Sequence, residues 1–163
     1  MARSWRAPGQ VMRKILADGP REDRAIAYLL VACVLVVIAQ WPRLVRAAAG
    51  FELAPGATPP DLQRELIHSF YAWLIIMPLV MYLIAALSHV VAKIFGGKGT
   101  WYSSRMALFW SFLATTPALL LWGLTAGFVG PGPALTLVGI IWVAAFTIIW
   151  AISLYTAEQA NVV

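Results

Sequence analysis

The sequence predicts an all-α integral membrane protein: four transmembrane helices in an antiparallel bundle, N and C termini cytoplasmic, preceded by a short N-terminal amphipathic helix. Three observations carry that prediction. Four apolar runs, at about residues 25–42, 69–92, 106–129 and 134–156, contain no Asp, Glu, Lys or Arg, and each has the roughly 17–25 residues a helix needs to cross a hydrocarbon core. Composition agrees, with 61% of the 163 residues hydrophobic and 12% charged, where soluble domains carry about a quarter charged. Finally, Lys and Arg gather beside alternate ends of the runs, and this bias sets orientation in a bilayer. The chain divides into a basic tail (1–24), one transmembrane domain (25–157) and a C-terminal tail (158–163).

The tail supplies Arg3, Arg6, Arg13, Lys14, Arg21 and Arg24. Val11, Met12, Ile15 and Leu16 fall at helical spacing behind Pro8-Gly9, with Arg13 and Lys14 turned elsewhere. Two readings fit: a short helix lying on the cytoplasmic surface, or a disordered basic tail that sets topology alone. Basic side chains there meet anionic headgroups at up to about 1 kcal/mol each. Asp18-Gly19-Pro20 makes a break, with Pro20 suited to the first turn of the helix that becomes span one. That span is no cleavable signal peptide, because a polar stretch precedes it and Pro42-Arg43-Leu44 follows Trp41 where a small-x-small site would stand. Its Cys33 is the single cysteine, so it reads as a small packing residue.

The connection from about Arg43 to Leu66 carries Gly50, Pro55, Gly56, Pro59 and Pro60, which predicts a loop. Asp61 to Glu65 is able to start the second helix outside the bilayer, since 61–95 is too long for the hydrocarbon alone. Gly96-Gly97-Lys98-Gly99-Thr100 and Gly130-Pro131-Gly132-Pro133 are short turns, so spans two, three and four are antiparallel neighbours. The cytoplasmic side gathers a basic surface at Arg13, Lys14, Lys93, Lys98 and Arg105. Nucleic acid is excluded as a partner, since no basic stripe is interleaved with exposed aromatics.

Two features inside the spans are candidates for packing or hinge motion. Pro78 and Pro117 fall near the middle of their spans, each freeing a carbonyl four residues earlier, Leu74 and Leu113. They read either as a hinge beside a small polar cavity, helped by Ser111, Thr115 and Thr116, or as static packing. Gly123 and Gly127 form a small-xxx-small pair that admits another backbone closely, within the bundle or from a second protomer.

Chemistry finds little support. His68 and His89 stand roughly 30 Å apart along one helix at about 1.5 Å rise per residue, too far to ligate one metal, and interfacial hydrogen bonding is the better role for each. The Gly96 to Thr100 segment lacks the glycine frame and preceding strand of a phosphate loop. Trp41, Trp73 and Trp101 fall at span ends, where indoles favour the headgroup boundary, while Trp110, Trp122, Trp142 and Trp150 lie deeper. Acidic residues are confined to tails and loops, with no carboxylate pair sharing a face with a histidine, so the sequence predicts no catalytic residues, metal or cofactor. Proton-coupled transport loses its usual intramembrane carriers.

The run Leu87-Ser88-His89-Val90, Phe95-Gly96-Gly97-Lys98-Gly99-Thr100-Trp101-Tyr102, Arg105-Met106-Ala107-Leu108-Phe109-Trp110 and Thr116-Pro117 resembles bacterial members of the YIP (Ypt-interacting protein) family. Weaker similarity extends through Gly130 to Thr136 and back to Arg21 to Ala25. The resemblance implies a non-catalytic membrane protein. Family members usually show about five spans against four here, so one is absent or Gln10 to Ala17 is its surface-lying remnant. Eukaryotic relatives are linked to small GTPases and vesicle traffic, a role that a bacterium-like sequence does not inherit.

The function expected is binding of membrane lipid, or of other integral membrane proteins or a second copy, as a scaffold, assembly factor or accessory subunit in the cell membrane, with a bacterial inner membrane suiting the Ala-rich, Arg-over-Lys composition. The alternative is a small channel or transporter with a midplane cavity at the Pro78 and Pro117 kinks.

Overall fold

The computed structural model describes residues 2–159 apart from 52, 54 and 55; the expected C-terminal tail beyond Gln159 lies outside the described residues. No strand occurs among them. Two short helices, α1 (Ala2–Arg6) and α2 (Pro8–Ala17), precede α3 (Glu22–Ala48). After the loop come α4 (Leu62–Tyr71) and α5 (Met77–Ile94), joined without a break by a π-helical turn over Ala72–Ile76, and then α6 (Trp101–Phe128) and α7 (Pro133–Gln159). Four continuous helical stretches, 22–48, 62–94, 101–128 and 133–159, are long and apolar enough to cross a membrane. The end of the bundle where α3 begins and α7 finishes is termed the near end; the 49–61 and 129–132 connections form the far end.

Each helix exceeds its apolar run, for reasons local to its ends. Span one continues through Pro42 to Ala48 instead of giving way to loop at Arg43. An interior proline removes one backbone bond and is tolerated in membrane helices, and Arg46-Ala47-Ala48 are strong helix formers. At its start, α3 begins at Glu22 with Arg21 in extended backbone, so Pro20 stands outside the helix instead of in its first turn. Asp61 caps α4, accepting from the Gln63 N–H at 3.1 Å, which starts the second helix where the sequence expectation put it. Thr100 opens α6 with a reciprocal cap to Ser103, satisfying two N-terminal donors. The far-end turn closes with Gly130 at φ 86°, a left-handed conformation natural to glycine, and its N–H returns to the Thr125 carbonyl at 3.0 Å.

The π turn has an identifiable cause. Pro78 has no N–H for the Leu74 carbonyl and its ring crowds that carbonyl; just before it the helix widens, and the Met77 N–H bonds the Ala72 carbonyl instead. At Pro117 the same problem is solved by a side chain, because the freed Leu113 carbonyl accepts the Thr116 hydroxyl at 2.8 Å.

α6 is the axis. Of its most apolar stretch 61% is buried, against 33% for α3, 17% for the second span and 6% for α7, so the other helices wrap α6 and turn most of their surface outward. Its Phe109 meets the Tyr82 ring edge-on at 5.1 Å, and its Phe112 meets Phe146 of α7 at 6.2 Å. The α3 contact is closest at the small-residue pair: a Cβ on Gly123 would lie 2.7 Å from the Ala39 carbonyl carbon, and one on Gly127 2.8 Å from that of Pro42. Backbone approach of this kind replaces hydrophobic drive, which lipid does not supply between helices.

α1 and α2 pack against the protein. α2 lies along α7 with Met12 and Leu16 buried, so the apolar face expected to rest on the membrane surface rests on the bundle.

Candidate functional site

The near end holds a buried polar cluster that sequence reasoning missed. Its centre is Glu158, which is helical, in the last turn of α7, and buried. Its Oε1 accepts the Ser104 hydroxyl at 2.7 Å and lies 3.2 Å from His89 Nδ1, while Oε2 accepts the Gly99 N–H at 3.0 Å. The Lys98 N–H donates to the Glu158 backbone carbonyl at 2.9 Å. Thus one residue of α7 ties α5, α6 and the turn between them. The expectation that acidic residues are confined to tails and loops is corrected here: the helix of α7 runs past its apolar part, and burial of the polar side chain is offset by the hydrogen bonds it accepts from Ser104 and Gly99, as a buried polar group requires.

Glycine makes the approach possible. A Cβ on Gly97 or Gly99 would lie 2.6 or 2.7 Å from Glu158 Oε2, so the glycine turn read as a simple reversal is also a carboxylate cradle. His89 is 2% exposed and its ring lies 4.5 Å from that of Trp101, so its hydrogen bonding is internal where an interfacial role was expected.

Histidine, serine and glutamate in contact invite comparison with a nucleophilic triad, and the geometry refuses it. A triad base uses one ring nitrogen toward the acid and the other toward the nucleophile. Here Ser104 Oγ and Glu158 Oε1 both face Nδ1, at 3.1 and 3.2 Å, and the serine donates directly to the carboxylate. The cluster is a staple between helix ends.

The remaining near-end charges are peripheral. Arg105 of α6 pairs with Glu22 at the start of α3 and lies over the Tyr82 ring. Arg24 donates to Asp18 at 2.7 Å, and that hydrogen bond holds the Asp18 carboxyl below its usual range, pinning the elbow between α2 and α3. Arg13, Lys14, Lys93 and Lys98 are exposed, with Lys98 beside Glu158 in an open cavity of about 530 Å³ that also includes Ala92, Tyr155 and Gln159.

At mid-depth the hydroxyls of Ser111 and Thr115 accompany that of Thr116 in bonding backbone carbonyls of their own helix, at 2.6 to 3.0 Å. All three residues are buried, and neither proline lines any of the four cavities described for the molecule. The structure brings Gly123 and Gly127 against α3.

The Yip1 domain model matches residues 2–159. The chain belongs to the Yip1 family. No curated protein and no solved structure matches it. The matched region takes in α1 and α2 together with the four Yip1 spans, so the packed N-terminal helices are part of the domain. The family is one of membrane proteins, and four apolar helices make this member multi-pass. The Yip1 match covers His89, Ser104 and Glu158 alike. Only proximity in the fold joins them: His89 and Glu158 are 69 positions apart, and the one signal available beforehand was a glycine turn with more glycines than a reversal needs.

Proposed function

We propose that this Yip1 protein is a non-catalytic component of a bacterial inner membrane, with both chain ends cytoplasmic, that acts by binding other membrane proteins or lipid as a scaffold, assembly factor or accessory subunit. The observation that carries this reading is a lateral groove. α5 and α7 both pack on α6, and between them an apolar cavity of about 430 Å³ opens sideways, lined by Ile84, Leu87, Ser88, Val91, Ala92, Trp150 and Leu154. The Ser88 hydroxyl is bonded to the Ile84 carbonyl at 2.6 Å, leaving the groove apolar, with the Trp150 indole forming part of its wall. Such a groove fits a helix or an acyl chain. The polar staple above it is consumed by its own hydrogen bonds, and the mid-depth hydroxyls by their own helix, so neither supports turnover or conduction.

The test fills the groove. Wild type and Ser88→Trp are purified in mild detergent, and the accompanying proteins and lipids are identified by mass spectrometry. Wild type is expected to retain a companion that the variant loses while both stay folded; a wild-type protein that emerges alone and monodisperse, or an identical set for both, overturns the reading.

A further inference from the structure

The N-terminal helices build a second, chemically different cavity. It measures about 700 Å³ and is lined by Arg3, Arg6 and Lys14 around an apolar wall of Val11, Ile15 and Trp110, with no acidic residue. Its wall is fixed. The Trp110 indole N–H donates to the Ser4 hydroxyl at 3.1 Å, Ser4 is 1% exposed, and Trp5 donates to the Ala114 carbonyl at 2.9 Å. Ala114 lies roughly 20 Å along α6 from its near-end residue Trp101, at about 1.5 Å per residue. These bonds anchor α1 on α6 below the bundle's near end, beside a helix long and apolar enough to cross a membrane, and Arg3, Arg6 and Lys14 form no ion pair or side-chain hydrogen bond among the described residues. Cations at that level are costly unless they reach an anion at the membrane boundary.

We infer that this cavity is a binding site for one anionic phospholipid of the near-end leaflet, its phosphate held by Arg3, Arg6 and Lys14 and its upper acyl region lying on Trp110, Val11 and Ile15. Guanidinium groups grip phosphate oxygens in pairs, and the apolar wall is what a soluble anion would not use. The inference deepens the binding reading and rests on it, naming a ligand class and a place apart from the α5–α7 groove.

The test is native mass spectrometry of the full chain titrated with phosphatidylglycerol or phosphatidylcholine. Wild type is expected to hold one phosphatidylglycerol at least about tenfold more tightly than phosphatidylcholine. The triple variant Arg3→Gln, Arg6→Gln, Lys14→Gln is expected to lose that preference, and the charge-matched control Arg13→Gln, Arg64→Gln, Lys93→Gln to keep it. Arg3→Lys with Arg6→Lys, which preserves charge, controls for folding and should retain most of it. Absence of a preference in wild type, equal loss in the control, or displacement by millimolar inorganic phosphate alone overturns the inference. The groove companion is a separate readout: if it persists in the triple variant while the lipid result fails, the lipid site falls and the groove reading stands.

Discussion

Glu158 carries more of the near end than any other side chain. Replacing it with alanine takes the acceptor from the buried Gly99 N–H and leaves the Ser104 hydroxyl with the longer contact to the Thr100 carbonyl at 3.4 Å, and an orphaned buried group costs about 1–3 kcal/mol. Glu158→Ala should therefore lower stability in detergent by at least about 2 kcal/mol, Glu158→Gln by less, and His89→Ala added to Glu158→Ala should cost little more, because the pair acts as a unit. Chemical unfolding followed by circular dichroism measures all three; an unchanged Glu158→Ala protein would contradict the staple. At this scale the sequence was only partly legible. The glycines of 96–99, the capping threonine and the histidine are visible locally, but nothing in the local pattern announces that a carboxylate at the end of another helix will enter the turn. Trp5 is a parallel case, since its partner is a backbone carbonyl, which has no sequence signature.

Among the elements, the α3–α6 pair decides the fold. Gly123 faces the Ala39 carbonyl and Gly127 faces Pro42 so closely that any side chain must push the backbones apart. Gly123→Ala is expected to cost about 1–3 kcal/mol through overpacking, whereas Gly132→Ala, with open space around it, should be near neutral. Equal melting temperatures for the two variants would refute the close approach. The small-xxx-small spacing was readable beforehand, although its partner, internal or from another protomer, was not; long-range pairing decides that, and the structure supplies α3. The prolines teach the same lesson. Their effect on carbonyls four residues back follows from elementary sterics, but whether a helix answers with a π turn, as before Pro78, or with a hydroxyl, as at Pro117, depends on whether a threonine stands one residue earlier: Thr116 precedes Pro117, and Met77 precedes Pro78.

For the whole molecule, the uneven burial of the four spans is the feature with functional weight. Hydropathy made the spans legible, because a helix in lipid must be apolar over its length whichever way it faces. For the same reason it could not say which span is central: α7 is the most apolar and the least buried, and α6 the least apolar and the most buried. A central helix admits the serines and threonines that other helices shield, and outer helices need only match lipid. The arrangement that results, α5 and α7 flanking α6 with a gap between them, is the basis for assigning a binding role. The most direct measurement is photocrosslinking in native membranes from a diazirine-bearing residue placed at Leu87 or Val91 in the groove, compared with Ile141 on the outer surface of α7. The account predicts a discrete adduct of one mass from the groove positions and only bulk lipid from Ile141. Indistinguishable bulk-lipid labelling from all three positions would contradict it.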